Sequence, residues 1–272
     1  MGFAQFVRER EYLHNVSPAT LRWYTHSLKW LRTESPTQDE LNDAVMRMRE
    51  KGLKATGCNS AIRAINAYLK WAGSPLKIAQ LREPKNILPT FTTEQVRLLV
   101  NYKPRGFYQR RLHLLVLLLF DTGCRITEAL TLHVCDIDLS NLLCVLDGKG
   151  RKQRVVPFSL ELRRHLFKHI NEYRRQPDEL LLSTRDGRML DRHVMLRNVK
   201  SLCRRLGFNP PARTLHAARH TFATEYVRRG GSVFHLQKVL GHSTLEMTRR
   251  YANLVTSDLS ATHERVSLLA HR

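Results

Sequence analysis

The sequence predicts a mainly α-helical protein with one small β-sheet, an α+β chain in which helices dominate. Apolar residues recur at the three- and four-residue spacing of helices in both halves of the 272 residues. Two short apolar runs, 142–146 and 153–156, instead flank the sequence DGKG. Such runs on either side of a glycine-containing turn are typical of a β-hairpin. We therefore expect the sheet at this hairpin.

A stretch without periodicity divides the chain. Residues 83–91 contain Pro84 and Pro89 and show neither helical nor strand spacing. This pattern is typical of a linker. It predicts a helical domain over residues 1–82 and a second domain over residues 92–272.

Capping signals mark the helices of the first domain. Ser17 stands before Pro18, which places a capping residue ahead of a proline at the first helical position. Thr37 and Glu40 have the spacing of a capping box and predict the start of a second helix. A third helix is expected over residues 55–73, because its isoleucines and leucine repeat at helical spacing.

The second domain begins with another capping box, formed by Thr92 and Gln95. The elements expected after it are a buried helix over 111–120, the hairpin, a helix over 160–173, a strand over 180–183 and further helices from residue 191, separated near 209–211 and 230–231.

The charge of the chain is its most unusual property. The sequence has 45 basic and 24 acidic residues, a formal net charge of +21. Residues 1–90 contribute +6 and residues 91–272 contribute +15. A surplus of this size predicts a polyanionic partner, with nucleic acid ahead of an anionic membrane surface. Two basic domains suit the two halves of a clamp around one polyanion.

Several other protein classes fit poorly. The longest apolar stretch, 114–120, has seven residues, whereas a membrane-spanning helix needs roughly 20. The first residues lack the apolar core of a secretory signal. The five cysteines are widely scattered and form no Cys-x-x-Cys pair, which argues against a disulfide framework and a zinc ribbon. We expect a protein of the reducing cytoplasm.

Two polar segments of the second domain carry cations in unusual settings. Arg125 follows the buried helix and a glycine turn, which would hold it near the core. Taken alone, this segment is better explained by pairing with Glu128, since buried charges are generally paired. The hairpin tip has four cations within residues 149–154. They could follow a phosphate backbone or form a solvated basic loop.

A third segment combines histidines with an arginine. His216, Arg219 and His220 share one helix face at spacings of three and four. A zinc-protease motif needs glutamate after the first histidine, and Ala217 stands there. A permanent cation beside a tunable donor instead suits a phosphate oxyanion, although His220 could equally be a structural histidine.

The fourth segment is LGHS at 240–243, followed by Tyr251 nine residues after His242. A single tyrosine in an amphipathic segment is often part of a core, so this segment alone is ambiguous. The order and spacing of all four segments together are much more specific.

In that order the segments resemble the tyrosine recombinase family, also called phage integrases. The resemblance rests on TGCRITEAL at 122–130, GKGRKQRVVP at 148–157, HAARHTFAT at 216–224 and LGHSTLEMTRRY at 240–251. It implies a tyrosine recombinase catalytic domain after a helical, SAM-like core-binding domain. The compact layout resembles Xer-type recombinases or short transposon and plasmid resolvases.

The resemblance implies a site-specific DNA recombinase that works through a 3′-phosphotyrosyl intermediate. Tyr251 would be the nucleophile, and Arg125 and Arg219 would bind the non-bridging phosphate oxygens. Relaxation of DNA by a type IB topoisomerase is the nearer alternative. A DNA-binding regulator without activity is the farther one, and it would need a lost catalytic residue.

The remaining roles are also carried by the resemblance. Lys149 would protonate the leaving 5′-oxygen, His216 would accept or orient the tyrosine proton, and His242 would donate to a non-bridging oxygen. Glu128 would orient Arg125. Because arginines and histidines take the part that Mg²⁺ has in other nucleases, no cofactor and no metal are expected.

The expected partners are double-stranded DNA with paired half-sites and three further copies of the chain in a homotetramer. Residues 252–272 would form an assembly element that docks on a neighbouring subunit. Packing on the same subunit's core is an equally good explanation of their apolar residues on sequence alone.

Overall fold

The computed structural model describes residues 2–83, 89–148, 153–173 and 175–252. The chain divides into two compact units, residues 1–86 and 87–272. The division falls inside the predicted linker, whose residues 84–88 lie outside the described part of the chain. The DNA-binding role expected for the first unit stays a prediction.

The described part of the first unit is helical. Its helices are α1 (Phe3–Tyr12), α2 (Pro18–Leu28), α3 (Gln38–Glu50) and α4 (Ala55–Trp71). The Ser17 side chain accepts a hydrogen bond from the backbone N–H of Thr20, and both bonds of the predicted capping box form at Thr37 and Glu40. These helix starts are confirmed. Helix α1 lacks a side-chain cap at Gly2, so its start carried no such signal.

Aromatic rings fill the core of this unit. Phe6 is fully buried, and its ring centroid lies 4.9 Å from that of Tyr24, 5.5 Å from that of Tyr68 and 5.4 Å from that of Trp71. The edge-to-face contacts with the two tyrosines are geometries that aromatic pairs favour. They join α1 and α2 to α4, the longest helix of this unit.

The second unit combines helices with a three-stranded sheet. Its helices are α5 (Thr93–Val100), α6 (Gly106–Thr122), α7 (Ile126–Leu130), α8 (Leu160–Glu172), α9 (Arg192–Arg205), α10 (Thr214–Arg228), α11 (Val233–Leu240) and α12 (Glu246–Ala252). Its strands are β1 (Ile137–Asp138), β2 (Leu143–Asp147) and β3 (Gln153–Pro157), antiparallel in that order. The predicted hairpin is therefore confirmed, and its connection at 149–152 lies outside the described residues.

Helix α6 is the centre of this unit, and it is longer than the predicted 111–120. Residues 112–119 are all buried, because α5, α8, α9 and α10 pack around the helix. It ends at Gly123, which has φ +62° and lies so close to Phe222 that a Cβ would overlap that ring. A glycine is therefore needed both for the left-handed turn and for the close approach of α10.

The strand predicted over residues 180–183 is wrong. Leu180 and Ser183 make only isolated bridges, with His133 and Met189. A continuous ladder does not form there, and the third strand of the sheet is β1, which pairs with β2. The apolar run is buried because it lies in the core, which composition alone does not distinguish from a strand.

The helices expected after residue 191 are present, with breaks between α9 and α10 and between α10 and α11 where the prolines and glycines stand. Within the described ranges, no helix is both long and apolar enough to cross a membrane.

Candidate active site

Arg219 lies on α10 and is fixed by two backbone carbonyls. Its Nη1 donates to Gly123 O at 2.8 Å, and its Nη2 donates to Leu240 O at 2.6 Å. These carbonyls belong to the turns that end α6 and α11. Burial, and next the nearby charge of Arg125, lower the pKa of Arg219 to about 10, so it stays cationic at neutral pH.

Arg125 stands at the start of α7 and is bound to Glu128 twice. Its backbone N–H donates to Oε2 at 2.7 Å, and its Nη1 donates to Oε1 at 2.8 Å. The pairing with Glu128 is thus present, and the same side chain also lines the pocket described below. The two explanations of Arg125 from the sequence are compatible.

Glu128 is a buried carboxylate shared by two arginines. Arg154, on β3, donates Nη1 to Oε1 at 2.9 Å and Nη2 to Oε2 at 2.8 Å. Burial would by itself raise the pKa of Glu128, but the hydrogen bonds and charges of Arg154 and Arg125 lower it to about 2. The carboxylate is therefore ionised at neutral pH.

Tyr251 lies on α12 and is almost fully buried. Its Oη is 2.8 Å from Nδ1 of His220, and its ring stacks on that of His242 with centroids 6.3 Å apart. His242 is held in turn by Thr248, whose Oγ1 is 2.8 Å from the imidazole Nδ1. The phenol therefore lies against two imidazoles on different elements.

Arg125, Arg219 and Tyr251 meet in one pocket of about 240 Å³. The polar residues that line it are Arg125, Arg192, His216, Arg219, His220, His242 and Tyr251, with Thr127 at its edge. The structure thus brings together five of the six residues that the sequence proposed. The sixth, Lys149, lies outside the described residues.

His216 stands among cations at the exposed wall of this pocket. Partial burial lowers its pKa below the ordinary value, and the charges of Arg213 and Arg192 lower it further. A histidine in this setting is neutral at pH 7 and able to accept a proton.

Two residues of the pocket were missed by the sequence analysis. The sequence allows a structural role for His220, yet its imidazole Nδ1 lies 2.8 Å from the Tyr251 hydroxyl. Its place on the helix face of His216 and Arg219 was the signal that pointed to it. Arg192 carried no signal, because α9 brings it to the pocket from a segment without a motif.

The arrangement suits attack on a phosphate. Arginines that present cationic N–H groups can bind the oxygens of a phosphodiester, and a phenol beside imidazoles can lose its proton. Within the described ranges, His, Cys, Asp and Glu side chains do not gather in threes that could hold a metal ion.

Comparison with known proteins identifies the family. The family model described as the phage integrase family matches residues 89–257, more than half of the chain. The chain belongs to the phage integrase family. It is therefore a tyrosine recombinase, an enzyme that cleaves and rejoins DNA strands in site-specific recombination.

The relatives extend over nearly the whole chain. The tyrosine recombinase XerA of Pyrococcus furiosus is 32% identical over 268 residues, which cover 94% of this chain and 91% of the relative. The tyrosine recombinase XerC of Bacillus subtilis is 27% identical, with 79% and 75% covered.

Solved structures show the same fold. The integrase of the transposon Tn1549 in complex with transposon right end DNA has a TM-score of 0.75 at 19% identity, with 96% of this chain and 100% of that chain covered. The XerH site-specific recombinase bound to its difH substrate has a TM-score of 0.72 at 19% identity, with 98% and 83% covered. The predicted fold class is confirmed.

Proposed function

We propose that Tyr251 is the nucleophile of this recombinase and that the pocket around it binds the scissile phosphate. The observation that carries the proposal is the convergence of Tyr251, Arg125 and Arg219 from three helices on one pocket. Arg125 and Arg219 would bind the non-bridging oxygens, on which negative charge grows in the transition state.

In the proposed cleavage step, one ester bond to phosphorus replaces another. Tyr251 Oη forms a bond to phosphorus, the bond from phosphorus to the 5′-oxygen breaks, and the DNA is left with a 3′-phosphotyrosyl link and a 5′-hydroxyl. Because the covalent link keeps the energy of the broken bond, rejoining needs no ATP.

Two protons move in this step. The phenol proton passes to a histidine, for which the sequence favours His216 and the 2.8 Å contact with the hydroxyl favours His220. The leaving 5′-oxygen receives its proton from Lys149. His242, stacked on the Tyr251 ring, would donate to a non-bridging oxygen once DNA is bound.

Replacement of the nucleophile tests the proposal. Tyr251→Phe should bind DNA with unchanged affinity and form no covalent adduct, because only the hydroxyl is removed. Tyr226→Phe is the matched control, since Tyr226 packs on the same small apolar cluster as Tyr251. The measurement is a denaturing gel of protein on nicked DNA carrying a recombination site.

The same gel assay has two further outcomes that would contradict the proposal. A covalent band from Tyr251→Phe would assign the attack to another residue. Loss of the wild-type band in EDTA, with recovery in Mg²⁺, would contradict the metal-independent mechanism. The named relatives favour strand exchange over relaxation alone. Exchange of strands between two labelled sites would distinguish them.

The role of Lys149 has its own test. Lys149→Ala should slow cleavage by about 10² to 10⁴-fold, the usual contribution of a general acid. DNA with sulfur at the 5′-bridging position has a leaving group that needs no proton, so this substrate should restore most of the rate. An equal defect on both substrates would reduce Lys149 to a phosphate contact.

We further propose that the enzyme acts in the cytoplasm on paired half-sites as a homotetramer. Support comes from the solved structures of related recombinases in complex with DNA and from the basic charge of both units. The assembly element predicted over residues 252–272 lies outside the described residues. Truncation after residue 254 should leave single half-site binding intact and abolish cooperative binding and exchange.

A further inference from the structure

Arg154 is a largely buried cation, and all three nitrogens of its guanidinium donate hydrogen bonds to the protein. Its side chain is 11% exposed. Nη1 and Nη2 each donate a hydrogen bond to one oxygen of the Glu128 carboxylate, at 2.9 and 2.8 Å. Nε donates to the carbonyl of Val239 at 2.7 Å. A planar fork matched to a carboxylate in this way is specific to arginine. Arg154 therefore acts on other residues rather than on a phosphate.

Through Glu128, one end of this contact reaches Arg125. The Glu128 carboxylate that Arg154 holds also accepts from the backbone N–H and from Nη1 of Arg125, at 2.7 and 2.8 Å. Oxygen Oε1 is shared by both arginines. If the carboxylate rotated, the guanidinium of Arg125 would rotate with it, and its other N–H groups would leave the position from which they face the pocket.

The other end meets the turn that carries His242. Val239 lies in the last turn of α11, and the chain then turns at Gly241, where φ is +64° and a Cβ would lie 2.9 Å from Cδ of Arg154. Leu240, between them, provides the carbonyl that holds Arg219. The stem of Arg154 thus packs where both Arg219 and His242 are fixed.

Arg154 also belongs to the hairpin. It stands on β3 opposite Leu146 of β2, five residues after Lys149. The strand that leads from the lysine is therefore attached, through one side chain, to two other segments of the pocket.

We propose that Arg154 is a positioning residue that joins strand β3 to Glu128 and Arg125 and to the turn at residues 239–241, which holds Arg219 through the Leu240 carbonyl and precedes His242. The inference rests on the proposed function. Stability alone does not require this pair, since well-packed apolar residues often replace a buried ion pair without loss. The positions of Arg125 and Arg219 at the phosphate do require the Arg154–Glu128 pair, because a displacement of about 1 Å at a reacting group can cost about 10²-fold in rate.

The test compares Arg154→Lys with Arg163→Lys. Lysine keeps the charge but loses the fork. Arg163 is an exposed arginine on α8 that also donates Nε to a backbone carbonyl, Leu139 O at 2.8 Å, and it lies outside the pocket. We expect Arg154→Lys to bind half-site DNA with unchanged Kd and to cleave bound DNA about 10 to 10²-fold more slowly. Arg163→Lys should match the wild type.

A modified substrate separates positioning from general damage. A methylphosphonate at the scissile position lacks one negative non-bridging oxygen, so its cleavage depends less on Arg125 and Arg219. The defect of Arg154→Lys should shrink to a few-fold on this substrate. A wild-type rate for Arg154→Lys, or a defect of equal size on both substrates, would overturn the proposal.

A double variant distinguishes loss of the Arg154–Glu128 contact from misfolding. Glu128→Gln with Arg154→Met removes both charges together, so it should fold with a Tm near that of the wild type and still cleave slowly. Wild-type cleavage by this variant would also overturn the proposal. Failure of the wild type and of Arg163→Lys to cleave would instead refute the proposed function.

Discussion

In the described part of the helical unit, residues 2–83, the buried polar side chains are Ser27 and Asn59, whereas residues 89–252 bury arginines, histidines and a glutamate. Asn59 hydrogen-bonds backbone: its amide donates to Leu81 O at 2.8 Å and accepts from Leu81 N at 2.7 Å. Arg219 also hydrogen-bonds backbone carbonyls, but it lines the pocket that contains Tyr251, and Glu128 binds Arg125, which lines the same pocket.

The difference shows that buried polar side chains have different roles in the two units. In the helical unit an amide holds the segment after α4 against that helix, and Asn66 does the same at Ile78. In the second unit, the buried Glu128 carboxylate binds Arg125 and Arg154 in a fixed arrangement, at the cost of removing its charge from water. Substitutions should therefore affect stability in one unit and chemistry together with stability in the other.

Arg219→Ala should have the largest effect. Loss of one transition-state donor costs about 10² to 10³-fold in cleavage rate, and the carbonyls of Gly123 and Leu240 lose their donor. Arg228→Ala, an exposed arginine on the same helix that pairs with Glu225, should cleave normally. The rate on saturating DNA is the measurement. A normal rate for Arg219→Ala would contradict the claim that the buried charges of the second unit serve the chemistry.

Glu128→Gln should change the response to acid. The folded pKa of Glu128 is lowered from 4.5 to about 2, so its contribution to stability is complete above pH 4.5 and is lost as the pH falls toward 2. The shift corresponds to at most about 3 kcal/mol. The variant should be less stable than the wild type at pH 7, and the difference should shrink below pH 4.5.

The unfolding of the two units can be followed separately. All three tryptophans, Trp23, Trp30 and Trp71, lie in the helical unit, so urea unfolding by fluorescence reports that unit. Circular dichroism reports both. Glu128→Gln should move only the transition that fluorescence does not see. A pH-independent difference would contradict the assigned role of the carboxylate.

Asn59→Ala is the matched change in the helical unit, with the smallest expected effect on chemistry. It removes the two bonds with Leu81 and one to Glu83, which should cost about 1 to 3 kcal/mol. The fluorescence transition should move to lower urea, while the cleavage rate on saturating DNA stays unchanged. A slowed rate would show that the helical unit takes part in the chemistry.

Signals between neighbours along the chain were sufficient for much of the fold. Thr37 and Thr92 cap the helices they predict, and both capping boxes form. The helix around residues 112–119 follows from an apolar run with no polar face. The strand expected over 180–183 failed, because a short apolar run is equally compatible with irregular chain buried in a core.

The sequence by itself determined the family, through four motifs in order, and it named five residues that line the pocket. Tertiary structure decided which of them touch. His220 meets Tyr251, 31 residues away along the chain. Arg154, one of the hairpin's cations by sequence, donates to a carbonyl 85 residues away. Periodicity and capping act within one element, where spacing along the chain sets distance. Contacts between elements depend on how helices and strands pack, and that packing is set by the whole core.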